Sequence, residues 1–261
     1  MRELLRSAVA PLSNWRLDAI HLVGNALLMA AASFWLLIPE AHAWQLAFAL
    51  ISGLLIVFVF AWLHCGTLAH GVTPIRDSIK DDFRRGLRHI PLFLVLFAVL
   101  LLLMNYAQQL SDNTWRYSGY WFTLLPKFMQ SWIGFARFNS WVEFKLAALT
   151  WFVLPALFLP LLSAAASFGL RRSAFGNALR TYIRWKYWVG IAIAAALGIW
   201  LPSILVNWKP MHGLTKETVS FVTRLFIAYV LAVMTWIMAS ALVGNFLRDA
   251  AGGNVGGNAA S

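Results

Sequence analysis

The sequence predicts an all-α integral membrane protein, built as a six-span transmembrane helical bundle with amphipathic interfacial helices. The first observation is compositional: the 261 residues are 61% hydrophobic and 12% charged, with a mean hydropathy of +0.69. An average soluble domain is about half apolar and about a quarter charged, so this chain lacks the charge that covers a soluble globule. The second observation is that the apolar residues gather into six long segments.

Each predicted span has about the length that a bilayer crossing requires. A helix crosses the hydrocarbon with about 20 residues at a rise of about 1.5 Å per residue. The segments are 17–38, 44–64, 90–107, 146–168, 187–206 and 221–247. They are uniformly apolar, without the alternating polarity of β-barrel strands, so helices are predicted. Residues 1–249 then form one transmembrane domain, and the Gly- and Ala-rich residues 250–261 a flexible tail.

The basic residues predict the orientation of the spans. Most Lys and Arg residues precede span one, connect spans two to three and four to five, or follow span six. The positive-inside rule therefore predicts a bacterial-type inner-membrane protein with cytoplasmic N and C termini. The net charge of +11 is explained by anionic lipid headgroups as a partner, and no nucleic-acid partner is predicted.

The two basic cytoplasmic connections each predict an amphipathic helix on the inner leaflet. Ile79, Phe83 and Leu87 recur every fourth residue in the first, and Leu179 and Ile183 do so in the second. The residues predicted to contact headgroups are Arg84, Arg85, Arg88, Arg180, Arg184 and Lys186. The likeness of the two segments fits an internal repeat, and it equally fits chance combined with the positive-inside bias.

The connection between spans three and four, residues 108–145, is long and rich in aromatic residues. Pro126 predicts the start of a short helix with Phe128 and Trp132 on one face. Two interpretations remain open: an interfacial helix on the outer leaflet, or a lid or partner-docking surface. Ser140 and Glu143 have the spacing of a capping box, which predicts the start of span four.

Five residues near one end of the first two spans form the candidate intramembrane polar site, since polar groups are costly in hydrocarbon. They are Asp18, His21, Asn25, His64 and Cys65. The first three share one helix face. A hydrogen-bonded cluster that joins the two helices is one interpretation, and a proton relay in a permease is another. The sequence does not decide whether the two histidines face each other.

A cofactor role for the histidines is a third interpretation. His21 and His64 would ligate a haem if they face each other, or bind a metal with Asp18 and activate water. The sequence has no HExxH arrangement, and no metal site or cofactor is predicted. Cys65 is the only cysteine, so an intrachain disulfide is excluded.

Two further features concern the remaining spans. Arg224 in span six is predicted to snorkel outward or to pair with Glu143 near span four. A stripe of small residues on span five predicts close helix packing; its members are Gly190, Ala194 and Gly198.

The Ala41-His42-Ala43 triplet resembles a signal-peptidase site, and its cleavage would leave five spans, so the six-span prediction assumes that it stays intact.

The sequence favours a non-enzymatic structural or accessory subunit of a membrane assembly, with a protein partner or a second copy in the membrane. It has no Gly-rich phosphate-binding loop and no GxSxG nucleophile motif, and no soluble segment is long enough to carry catalysis alone. A small permease that uses the intramembrane polar residues is the first alternative. A haem-carrying or metal-dependent membrane enzyme is the second.

Overall fold

The computed structural model describes residues 14–39, 41–72, 79–208 and 214–252. All regular secondary structure in these residues is helical, and six helices are long and apolar enough to cross a membrane. The chain is therefore an all-α, multi-pass membrane protein, and the predicted fold class is confirmed.

The helices are numbered in chain order. They are α1 (Trp15–Trp35), α2 (Ala43–Val72), α3 (Ile79–Leu87), α4 (Ile90–Asp112), α5 (Thr114–Thr123), α6 (Lys127–Ile133), α7 (Phe135–Ala148), α8 (Leu154–Phe168), α9 (Arg172–Tyr182), α10 (Trp185–Ala195), α11 (Leu201–Asn207) and α12 (Leu214–Gly252). Two π-helical turns, Leu149–Val153 and Ala196–Trp200, join α7 to α8 and α10 to α11. The spans are thus α1, α2, α4, α7–α8, α10–α11 and α12.

Several spans extend beyond the apolar segments that predict them. Helix α2 continues to Val72 because its last turns are buried. The fourth span starts at Phe135, after Gly134 with a φ of 70°, and the capping-box prediction is wrong. Ser140 Oγ donates instead to the Ala136 carbonyl within α7. Helix α12 runs to Gly252, and residues 253–261 of the predicted tail lie outside the described residues.

The described residues of Met1–Leu94 and Pro160–Ser261 form one compact unit. Its core joins α1, α2, α3 and α12, and the buried members are Leu17, Leu63, Phe83, Val233 and Ile237. Helix α3 packs closely on α2, since a Cβ added to Gly66 would lie 2.7 Å from the Phe83 ring. The predicted first amphipathic helix therefore turns Phe83 toward protein.

The second unit, Val95–Leu159, buries several small polar side chains together with apolar ones, and many of its aromatic side chains are exposed. Thr114 and Ser118 of α5 are buried, and Ser118 Oγ donates to Asn139 Oδ1 of α7, which is also buried. Trp115 of α5 and Phe144 of α7 are exposed. The predicted short helix after Pro126 is present as α6. Exposed aromatic rings and buried, hydrogen-bonded polar side chains are a stable combination for a segment that is in contact with lipid.

Helix α12 crosses α2 with direct backbone contact. A Cβ added to Gly71 would lie 2.6 Å from the Ser240 carbonyl oxygen, and one added to Gly244 would overlap the Gly71 carbonyl. Helix α10 approaches the same helix at Gly190, which faces Leu242. Small residues at these positions let the helices approach closely, which is the main source of van der Waals contact between membrane helices.

We expect Gly244→Ala to destabilise the first unit by about 1–3 kcal/mol, because the added methyl group forces α2 and α12 apart. Gly176→Ala in α9 is the matched control, since a Cβ there meets no atom within 4 Å. The control should leave stability unchanged or raise it slightly, because Ala favours the helix. Thermal unfolding in detergent measures both, and equal melting temperatures for the two variants would contradict the close crossing.

Candidate functional site

The candidate site begins with a buried side-chain bond between the first two spans. His21 of α1 is fully buried, and its Nε2 hydrogen-bonds to Thr67 Oγ1 of α2. Thr67 Oγ1 donates its single proton to the Leu63 carbonyl at 2.8 Å. The Thr67 oxygen must therefore accept from His21, which assigns the ring proton to Nε2.

Asn25 completes this contact one turn along α1. Its Nδ2 donates to the His21 carbonyl at 2.9 Å and lies 3.4 Å from His21 Nδ1. With the His21 proton on Nε2, Nδ1 is free to accept from the amide. His21 is thus a neutral imidazole whose two nitrogens both have partners, so the surrounding hydrogen bonds hold its ring in one orientation.

The structure brings the two predicted histidines together. The ring centroids of His21 and His64 are 6.0 Å apart, and the planes are inclined by 49°. The His64 ring also lies 4.3 Å from Phe60 and meets Trp236 of α12 edge-on at 5.2 Å. An aromatic cluster therefore joins α1, α2 and α12 at the level of the polar bond.

Three polar atoms near this cluster are buried and make no hydrogen bond within the described part of the chain. They are Asp18 Oδ1, His64 Nδ1 and Trp236 Nε1. The last two belong to rings in direct contact. Buried polar groups are normally satisfied. A proton could bind at Asp18 Oδ1 or His64 Nδ1, whereas Trp236 Nε1–H could only donate a hydrogen bond to a small polar ligand.

The sequence missed three contributors to the site. Thr67 binds His21, Trp236 contacts His64, and Tyr229 Oη donates to the Leu22 carbonyl of α1. Thr67 follows His64 by three positions and had a local signal as a polar residue on the same helix face. The two α12 residues had no such signal, because they come from the other end of the chain.

Cys65 belongs to a different contact. Its Sγ donates to the Gly86 carbonyl of α3 at 3.3 Å. Nearby, His70 Nδ1 lies 2.7 Å from Asp82 Oδ2, and Arg85 Nη1 lies 3.8 Å from Asp82 Oδ1. Asp82 is buried, and its contact with His70 attaches α3 to the end of α2. This contact was not among the sequence-based predictions.

The remaining candidate residues are distributed over both units. Arg184 Nη1 lies 3.4 Å from Asp249 Oδ2, while Arg84, Arg88, Arg180 and Lys186 are exposed. Their contact with headgroups stays a prediction. Gly198, like Gly190, lies against α12, and its neighbour there is Thr235. Ala194, which lies between these two glycines in the sequence, is half-buried.

The predicted pairing of Arg224 with Glu143 is untested, because these residues belong to different units. Glu143 accepts from Asn139 Nδ2 at 2.7 Å. Arg224 Nη1 donates to the Leu205 carbonyl at 3.1 Å. Each side chain therefore has a partner within its own unit.

The cofactor interpretation of the histidines also stays open. The described residues contain no group of three or more His, Cys, Asp and Glu side chains that could hold a metal ion. One nitrogen of His21 is already bonded to Thr67. A Soret band in the purified protein would establish haem.

No protein-family model matches this chain, and neither does any curated protein or solved structure. The fold and the site define a class: a multi-pass α-helical membrane protein with a buried His–Thr bond between its first two spans.

We expect Thr67→Val to lower the free energy of unfolding by about 1–3 kcal/mol, because it leaves the buried Nε2–H of His21 without an acceptor. Thr223→Val is the matched control: its hydroxyl is exposed and bonds only to the Val219 carbonyl of its own helix. The control should change stability by less than about 0.5 kcal/mol. Denaturant titration in mixed micelles measures both.

A double-mutant cycle with His21→Leu sharpens this test. The coupling between His21 and Thr67 should be about 0.6–1.7 kcal/mol, the range for polar contacts between membrane helices. Strictly additive effects of the two substitutions would contradict a direct bond.

Proposed function

We propose that the chain is a non-enzymatic structural or accessory subunit of a membrane assembly. The supporting observation is the contrast in burial between spans. In span six, 50% of the residues in the apolar stretch are buried, whereas in spans one and five the buried share is 11% each. Helix α12 thus lies in the interior of the first unit. Other spans have apolar faces that are exposed and can contact neighbours in the membrane.

The α1–α2 hairpin shows this most clearly. Near one end, the His21–Thr67 bond joins its two helices to each other, and the bond from Tyr229 to the Leu22 carbonyl joins α1 to α12. Toward the connecting turn the two helices contact mainly each other, as in the bond from Trp35 Nε1 to the Ala49 carbonyl at 2.7 Å. Exposed apolar side chains there include Leu27 and Phe34, which share one face of α1, and Leu50 and Leu54, which share one face of α2. A transmembrane helix of a partner, or of a second copy, would pack against these faces.

The hydrogen bonds that the polar side chains make also support the subunit proposal. The bonds of His21 and Tyr229 each join two helices, and Asn25 bonds to His21 within α1. Arg224 likewise bonds backbone carbonyls. A catalytic centre requires groups that are positioned but still available for reaction, and most of these groups are already engaged.

The proposed location is a bacterial-type inner membrane, with both termini in the cytoplasm. The support is the excess of Lys and Arg in the connections that contain α3 and α9. In α9 and the turn after it, Leu179 and Ile183 are exposed next to basic residues. This pattern favours a helix that lies on the membrane surface with its charges toward anionic headgroups.

A photo-crosslinker placed at Leu27 or Leu50 tests the subunit proposal in native membranes. We expect discrete protein adducts, identified by mass spectrometry after purification in a gentle detergent, because these residues are about 65% and 64% exposed on the hairpin. Leu102 of α4, 69% exposed in the second unit, is the comparison position and should give only lipid adducts. A chain that migrates alone, with lipid adducts at all three positions, would refute the proposal.

A proton-linked permease is the second candidate, favoured by the unpaired buried atoms of Asp18, His64 and Trp236. For this function, His64→Leu and Asp18→Asn should abolish proton flux into proteoliposomes, measured with an enclosed pH-sensitive dye. His42→Leu, at an exposed histidine before α2, should leave flux unchanged. Flux equal to that of empty liposomes would remove this candidate.

A further inference from the structure

Arg224 on α12 is a buried cation held by backbone and aromatic groups. Its side chain is 7% exposed. Nε donates to the Ser220 carbonyl and Nη1 to the Leu205 carbonyl, both at 3.1 Å. The guanidinium carbon lies 5.8 Å from the centre of the Trp208 ring and 6.0 Å from that of Phe221. We call this arrangement the Arg224 cage.

The cage fixes the guanidinium but leaves its charge without a carboxylate. Among the described residues of its unit, no Asp or Glu forms an ion pair with Arg224. Carbonyl and ring contacts stabilise a cation only partly, and an uncompensated charge away from water costs several kcal/mol. An anion at the cage would remove most of this cost.

The position of Arg224 along α12 indicates the kind of anion. Residues 225–247 contain no Asp, Glu, Lys or Arg, and Arg248 follows them. At about 1.5 Å per residue this uncharged stretch is about 35 Å long, close to the hydrocarbon thickness of about 30 Å. Arg224 therefore lies at one hydrocarbon boundary, the level of the lipid phosphates. The exposed Trp208 ring beside it is typical of that level.

The chemistry of the cage suits a phosphate group. A guanidinium has five N–H donors, and the two carbonyl bonds use two of them. The remaining donors lie in the plane of a rigid fork, a geometry that matches phosphate oxygens. Because the carbonyls and rings already hold the fork, little side-chain entropy is lost on binding.

We propose that the Arg224 cage is a binding site for one phosphate group, which a phospholipid headgroup or free phosphate can supply. The site is independent of the proposed subunit function. The bound phosphate would give Arg224 a counter-charge, and a phospholipid that supplies it would be attached where the end of α11 packs against α12.

Native mass spectrometry of the full chain in a neutral detergent tests the proposal. The probes are phosphatidylglycerol, a neutral galactosyl diacylglycerol with the same acyl chains, and inorganic phosphate as a competitor. We expect tighter retention of phosphatidylglycerol than of the galactolipid. Arg224→Gln should weaken it about tenfold, as the loss of charge-assisted hydrogen bonds implies. Arg116→Gln, at an exposed arginine, should leave retention unchanged.

The outcomes distinguish a phospholipid headgroup from free phosphate as the ligand, and some of them would contradict the proposed site. Competition by inorganic phosphate assigns the site to free phosphate, and retention that resists it assigns the site to the lipid headgroup. Equal retention of the two lipids, or no effect of Arg224→Gln, would overturn the proposal. If that variant does not fold, Arg224→Lys keeps the charge but not the fork, and retention equal to wild type would overturn it.

Discussion

The absence of water in the hydrocarbon is the constraint on which this structure depends. A polar group there must find its partner in the protein or at the membrane boundary. His21 bonds Thr67, Tyr229 bonds the Leu22 carbonyl, and Arg224 bonds the Leu205 carbonyl. Each of these bonds joins two helices, and two of the three involve α12. The few polar residues of the spans thus determine which helices are neighbours, while apolar contacts fill the remaining space.

The same constraint explains the second unit. In water, a helix such as α5 would bury its aromatic face and expose Thr114 and Ser118, but here the small polar residues are inside. Ser118 is satisfied by the Ser118–Asn139–Glu143 chain of hydrogen bonds between α5 and α7, and the Thr114 hydroxyl donates to the Ser111 carbonyl. Trp115 and Phe144 remain on the surface, where an amphipathic or apolar ring is stable beside lipid.

Features that depend on local sequence were predictable, and features that depend on contacts between distant segments were not. Length and hydropathy identify all six spans, and Pro126 identifies α6. The extension of α2 to Val72 was missed because burial against α3 and α12 stabilises its polar last turns. In the site, His21 and His64 stood out as polar residues within apolar segments. Trp236 did not, because one more Trp in an apolar helix gives no sign of its partner.

The crossing at Gly71 and Gly244 has a consequence for biogenesis. One glycine lies near the end of the second span and the other near the end of the sixth, so the crossing joins segments whose synthesis is separated by more than a hundred residues. Membrane insertion proceeds from the N terminus. The α1–α2 hairpin must therefore wait in the bilayer, with the His64 ring and the Leu22 carbonyl still lacking their α12 partners, until α12 has been inserted. Assembly of the first unit is accordingly completed only after α12 enters the membrane, and a chain truncated before α12 would present this unfinished surface to membrane quality control.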